Sequence, residues 1–180
     1  MVESIDQLAI SVSRQLQKLK HTLVLAESCT AGLIAASLSR ISGASGWLAG
    51  SAVVYQLQTK ESWLSIDPQL LVDPGAVSRE VSEAMADRVL QQTPQATIAA
   101  SVTGHLGPVA PARLDGIAWT TIAVRTDDGT SVQSRKLILD QEIGEDRPFA
   151  WSTSRDRRQR VAVRLVLQFC LDVLDSEAPE

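Results

Sequence analysis

The stretch from Thr22 to Ala36 restricts the fold more than any other part of the chain. A short apolar run, Thr22 to Ala26, leads straight into a carboxylate, two hydroxyls and a thiol: Glu27, Ser28, Cys29 and Thr30. Small and apolar residues at helical spacing follow, through Gly32, Leu33, Ile34, Ala35 and Ala36. The pattern predicts strand, tight turn and helix. In that arrangement the free N–H groups of the helix's first turn lie beside Ser28 and Thr30, a small site for an anion or a developing oxyanion.

The rest of the chain suits one domain built around this unit. At 180 residues, with 44% hydrophobic and 21% charged, it has the globular mixture and enough length to bury a core, expected over residues 5–175 of a single domain 1–180. A net charge of −4 argues against a nucleic-acid partner held by the overall field. Two cysteines, Cys29 and Cys170, are too few for a disulfide framework, and the acidic start lacks the pattern of a signal peptide. No apolar run approaches the roughly 20 residues that span a bilayer. The expectation is a cytoplasmic protein with reduced thiols and no membrane partner.

Ser4 and Gln7 have the form of a capping box, and Ile5, Leu8, Ala9, Val12, Leu16 and Leu19 recur at helical intervals after it. The helix after the turn is expected to run through Ile41 and to break at Ser42-Gly43-Ala44-Ser45-Gly46. Gly50–Tyr55 reads as a second buried strand and Gln56–Leu64 as a helix, ended by Asp67-Pro68. After a loop over 72–77, Ser78 caps a helix that carries Val81, Met85 and Val89 on one face. Thr97–Val102 is a third strand, which the run from Thr103 to Pro108 should break. Gly116–Arg125 and Ser131–Leu139 flank Asp127-Asp128-Gly129, a hairpin signal. Residues 140–152 read as irregular, and Thr153 with Asp156 opens a last, largely buried helix. Helices alternating with buried strands imply an α/β fold: a three-layer α/β/α sandwich with a mixed sheet. Ligands in such sheets gather at the carboxyl ends of the strands, here after Ala26, Tyr55 and Val102.

Several residues at those ends are chemically competent. Ser28 alone reads as a helix cap before it reads as a nucleophile. Lys60 adds a second half: a lysine desolvated by apolar neighbours loses its proton more easily and can take the one on a serine hydroxyl. Thr103 and Gly104 offer a further hydroxyl and backbone N–H groups, or form a plain turn. Cys29 competes as nucleophile if the helix dipole stabilises its thiolate, but buried cysteine commonly packs as a small hydrophobe. His21 and His105 share no ligand spacing with the cysteines, so no metal site is expected. The arginine-rich run 155–160 is either a solvated face or a phosphate site at a helix start.

Taken together, Ala26-Glu27-Ser28-Cys29-Thr30 with Gly32-Leu33-Ile34-Ala35, Val53-Val54-Tyr55 with Lys60, Gly75-Ala76-Val77-Ser78, and Thr103-Gly104 with Gly107-Pro108 resemble one family over nearly the whole chain. That family is the C-terminal domain of the competence/damage-inducible CinA proteins, whose stand-alone form is a nicotinamide mononucleotide deamidase. The resemblance implies hydrolysis of the carboxamide of nicotinamide mononucleotide to nicotinate mononucleotide and ammonia, with no metal or other cofactor. It casts Ser28 as nucleophile, Lys60 as base and Thr103 as assistant. Cys29, Thr30, Tyr55 and Gly104 would line the substrate, and Ser42, Gly43 and Ser45 with Arg157 or Arg158 would hold its phosphate. It also implies a homo-oligomer, for which Trp47, Trp63, Trp119 and Trp151 are the large aromatic anchors. A catalytically silent nucleotide-binding or assembly protein, and an amidase for another amide, are the competing readings. They arise because the chain departs from the family pattern near the substrate. Ala31 stands where the family has a second glycine, Gln56-Leu57 where it has Ser-Asn, Val109-Ala110 in place of a glycine-rich run, and His105 in place of an apolar residue.

Overall fold

The computed structural model describes residues 3–140 and 154–177. Its centre is a five-stranded mixed sheet whose strands follow the apolar pattern, with one exception. The second, expected to be buried over Gly50–Tyr55, runs Leu48–Val53 at the edge of the sheet and is only partly buried because one side has no neighbouring strand. The strands are β1 (Leu23–Glu27), β2 (Leu48–Val53), β3 (Ile98–Gly104), β4 (Ile117–Thr126) and β5 (Gly129–Ile138), in the spatial order β2-β1-β3-β4-β5. β1 pairs in parallel with β2 and β3, while β3–β4 and β4–β5 are antiparallel. Strand β1 is buried at every position because it is central and covered on both faces. Its side chains alternate: Leu23 and Leu25 enter one core, Val24 and Ala26 the other.

The first core is closed by α1 (Ile5–Leu19), α2 (Leu33–Ser39) and α6 (Ser154–Glu177); the second by α3 (Leu57–Leu64), a single turn α4 (Pro68–Leu70) and α5 (Arg79–Gln91). The result is the three-layer α/β/α sandwich. Helix starts follow local chemistry. The Ser4 hydroxyl accepts from the Gln7 amide while the Gln7 side chain accepts from the Ser4 amide, and the Ser78 hydroxyl accepts from the Val81 amide. The last helix is buried along Val163, Val166, Leu167, Cys170 and Leu174. Its expected cap, Thr153, lies outside the described residues, as do the irregular stretch expected over 141–152 and Trp151.

Further boundaries differ from the sequence reading. Helix α2 begins at Leu33 with Gly32 as its cap, so Ser28 caps nothing, and it ends at Ser39 instead of reaching Ile41. Helix α3 ends at Ser65 in a left-handed conformation, φ 54°, before Asp67-Pro68, and Asp67 instead caps α4. The expected loop over 72–77 follows a wide turn that starts at Leu71, and Asp73 within it has extended backbone, φ −141° and ψ 116°. Thr103 and Gly104 do not break β3, because β4 runs alongside them and pairs Thr103 with Trp119 and Gly104 with Ala118. A Cβ on Gly104 would lie 2.5 Å from the Ala118 Cβ, so glycine permits that close approach.

In register, Glu27 lies opposite Val53 on one side and Val102 on the other. The chain segments leaving β1, β2 and β3 therefore emerge side by side at one edge of the sheet.

Candidate active site

The turn after β1 is shaped by Glu27, which is 0% exposed. Its Oε2 accepts from the Thr30 hydroxyl at 2.8 Å and from the amides of Gly32 and Ile34 at 3.0 and 3.1 Å. Its Oε1 accepts from the Ala35 amide at 3.0 Å and the Ser51 hydroxyl at 3.1 Å. The helix-start amides expected to face a ligand beside Ser28 are thus occupied by the chain's own carboxylate. That corrects the sequence reading: Glu27 immediately precedes the turn, and the N-terminus it caps is the nearest set of donors for a buried anion. The turn is held from a third side by Gln159 of α6, whose Nε2 donates to the carbonyls of Cys29 and Thr30. Ser28, anchored by its amide to the Val102 carbonyl at 3.0 Å, presents its hydroxyl away from this cap.

That hydroxyl meets Lys60. The Nζ of Lys60 lies 2.8 Å from Ser28 Oγ, 2.7 Å from the Val54 carbonyl and 3.5 Å from the Tyr55 carbonyl. Lys60 sits on α3, which follows directly from the end of β2, so the fold joins two residues remote in the chain. It is 1% exposed, and burial pushes its amine down to about 8. Nζ donates to the Ser28 Oγ and to the two carbonyls, so loss of its proton leaves a lone pair beside the serine hydroxyl. Cys29 is also buried, and burial pushes its thiol up to about 12, so at neutral pH it carries no thiolate.

Ser28 and Lys60 open into a pocket of about 320 Å³ that Cys29, Tyr55, Thr103, Gly104, His105 and Arg155 also line. The Thr103 hydroxyl donates to the Ala76 carbonyl at 2.7 Å and so faces any ligand as an acceptor. Thr30 is buried behind the wall and bonded to Glu27. Ser42, Gly43 and Ser45 are not at this pocket. They precede β2, whose start adjoins the opposite end of β1 through the Leu23 amide and the Trp47 carbonyl, roughly 16 Å from Ser28 at the usual rise of a strand.

The arginines also sort differently from expectation. Arg157 is exposed and does not line the pocket. Arg158 is drawn into carboxylates: it bonds Asp115 at 2.7 Å and Asp140 at 2.8 Å and holds the Asp140 carboxyl below its ordinary range. Arg155, in the first turn of α6, reaches the pocket instead, donating to the Gly107 carbonyl at 2.7 Å and to the Tyr55 hydroxyl. Sequence spacing could not separate three neighbouring arginines, because the carboxylates that claim Arg158 lie far away in the chain. Among the described residues no group of three or more His, Cys, Asp or Glu is arranged to hold a metal ion.

The CinA C-terminal domain family matches residues 5–147. A CinA-like protein of Mycobacterium sp. (strain JLS) is 39% identical over 146 residues, 81% of this chain and 32% of its own length. One from Koribacter versatilis is 36% identical over 140 residues, 78% of this chain and 33% of its own. The chain spans about a third of the length of these curated relatives. Among solved structures, the competence/damage inducible protein CihA from Agrobacterium tumefaciens superposes with a TM-score of 0.79 at 27% identity, covering 95% of each chain. The competence damage-inducible protein A from Klebsiella pneumoniae superposes at 0.83 with 22% identity, covering 98% of this chain and 100% of that one, a likeness of fold. This chain belongs to the CinA C-terminal domain family.

Proposed function

We propose that this protein is a metal-independent amidohydrolase that converts nicotinamide mononucleotide to nicotinate mononucleotide and ammonia. The observation that carries the reading is the contact between a buried, easily deprotonated Lys60 amine and the Ser28 hydroxyl at the floor of an open pocket. Lys60 takes the proton from Ser28 as Oγ bonds to the carboxamide carbon and the carbonyl electron pair moves onto oxygen. Cys29, the residue after the nucleophile, lines the pocket, and its backbone amide is the proposed donor to that oxygen. When the pair returns, the C–N bond breaks and the Lys60 ammonium gives its proton to the departing nitrogen, releasing ammonia and leaving an ester on Ser28. A water molecule, deprotonated by Lys60, then attacks the ester. The carboxylate leaves, and Ser28 regains its proton. Thr103 accepts a hydrogen bond from substrate, and Arg155 supplies positive charge toward the nucleotide phosphate.

Ammonia release from purified protein incubated with nicotinamide mononucleotide tests the reading. Turnover that disappears in Ser28→Ala is expected; no turnover, or turnover that survives the substitution, refutes it. Leu57 and Val109, both pocket-lining and strongly exposed, favour one second reading: an amide that carries an apolar group against this rim. A panel of such amides, ranked by kcat/KM against the mononucleotide, separates the two. The proposal includes self-association of a cytoplasmic enzyme, for which Trp63, 57% exposed, is the available aromatic anchor, whereas Trp47 is buried. Light scattering checks the assembly.

A further inference from the structure

The strap from Gly104 to Gly107 forms one wall of the pocket, and its backbone is fixed along its length. Gly104 is pressed against Ala118. The His105 amide donates to the Ile117 carbonyl at 2.9 Å, and its carbonyl accepts from the Gly116 amide at 3.1 Å. Gly107 holds φ +70°, a left-handed conformation suited to glycine, and its carbonyl accepts from Arg155. Leu106 is buried in the core. What the strap offers a ligand is the half-buried side chain of His105, whose ring makes no hydrogen bond among the described residues. The contrast with His21 is informative: both of its ring nitrogens are bonded, to the Thr97 hydroxyl and to Glu177.

The pocket lining contains Lys60, His105 and Arg155 and no carboxylate. The acids nearest the strap, Asp115 and Asp140, are paired with Arg158. Arg155 donates to the Gly107 carbonyl and the Tyr55 hydroxyl, and a guanidinium has five N–H donors in all. A half-buried imidazole on a strap of fixed backbone, in a lining that holds Arg155 and Lys60 and no carboxylate, is an arrangement for an anion.

We infer that His105 is a specificity-determining residue that, with Arg155, binds the phosphate monoester of the substrate and selects phosphorylated over unphosphorylated amides. The selection rests on the hydrolase reading; the binding of the anion does not. Either imidazole tautomer presents an N–H or a lone pair, and the protonated ring presents two donors, so contact with a phosphate oxygen is available to it.

The experiment compares the unsubstituted protein with His105→Leu and His105→Gln, on nicotinamide mononucleotide and on the corresponding riboside. For His105→Leu, kcat/KM on the mononucleotide is expected to fall about tenfold, mainly through KM, as befits loss of one charge-assisted hydrogen bond. The riboside reaction should change far less, and Gln should retain part of the discrimination. An equal fall on both substrates, or none on either, overturns the inference. A second arm separates it from the hydrolase reading. In a Ser28→Ala background, nicotinamide mononucleotide and inorganic phosphate should each raise Tm, and adding His105→Leu should shrink that rise. If the unsubstituted protein hydrolyses nothing yet the His105-dependent rise remains, the anion site stands and the hydrolase reading falls. If neither ligand raises Tm, or if His105→Leu leaves the rise unchanged, the anion site is overturned. Tm without ligand shows that each variant folds, and Gln serves if Leu does not.

Discussion

Two ionisable side chains flank Ser28, each almost wholly buried, and they are treated in opposite ways. Glu27 is surrounded by five donors, three of them backbone amides fixed by α2. Lys60 has one hydroxyl and two carbonyls, one of these at 3.5 Å, and no carboxylate partner. A buried charge with a full set of fixed dipoles is a structural element, because the fold replaces the water it loses. A buried charge with an incomplete set gives up its proton readily, which is the property a general base requires. Within a single site the protein thus gives one buried group a full set of fixed donors and leaves the other without a carboxylate partner, and the base role proposed for Lys60 rests on that difference.

The comparison breaks most visibly in activity. Lys60→Met keeps the apolar stem of the side chain and removes the amine. Hydrolysis should fall by about a thousandfold or more, the scale of losing both the base and the acid for the leaving group. Stability at pH 7 should hold or rise, because the variant no longer buries an ammonium. Parallel kcat measurements and urea titrations check both halves. A variant that loses activity only because it unfolds would place Lys60 on the structural side with Glu27.

Glu27→Gln is the converse. The amide keeps the shape but turns one acceptor into a donor against amides that already donate, so stability should drop by about 3 kcal/mol, read from the urea midpoint. The KM of any folded fraction should change little, since Glu27 does not line the pocket. A neutral outcome would mean that the five donors can be satisfied by water.

The pH dependence sharpens the contrast further. With Lys60 titrating near 8, kcat/KM should climb tenfold per pH unit below that value and level off above it. The linked stability effect has a definite sign. The folded-state value lies below the ordinary 10.5, so between about 8 and 10.5 the unfolded chain binds the additional proton, and stability rises with pH across that window. Below 8 both states are protonated and the burial penalty is fully present. Lys60→Met should lack this rise, which thermal melts across the window would show.

Much of this was legible in the chain before its fold was known, for particular reasons. Alternating apolar residues and the Asp127-Asp128-Gly129 turn specify the sheet locally, and Ser4, Gln7 and Ser78 announce their helices through caps that span three residues. Glu27 was visible as a carboxylate, but its part depends on a helix starting at Leu33 and on Ser51 from the neighbouring strand. Ser42–Gly46 lies away from the Ser28 pocket because strand direction, which only pairing fixes, puts it at the opposite end of the sheet. Arg155 and Arg158 could be told apart only after Asp115 and Asp140 had been brought beside one of them.

The smallest expected effect lies in the same turn, at Ala31. It is exposed and holds φ 52°, a left-handed conformation that costs a residue with a Cβ about 1–2 kcal/mol. Ala31→Gly should relieve that strain while making the unfolded chain more flexible, an opposing effect of about 0.5–1 kcal/mol. The net expectation is a gain of roughly 0.5–1 kcal/mol, with kcat unchanged because Ala31 does not line the pocket. A urea midpoint that moves upward would show that the strain is real and is borne by the bonds from Glu27 and Gln159. A downward shift would show that those bonds have relaxed the turn around alanine, so that Glu27 organises the backbone beyond capping α2. In that case Ala31→Gly combined with Glu27→Gln should be less destabilising than the sum of the two single changes.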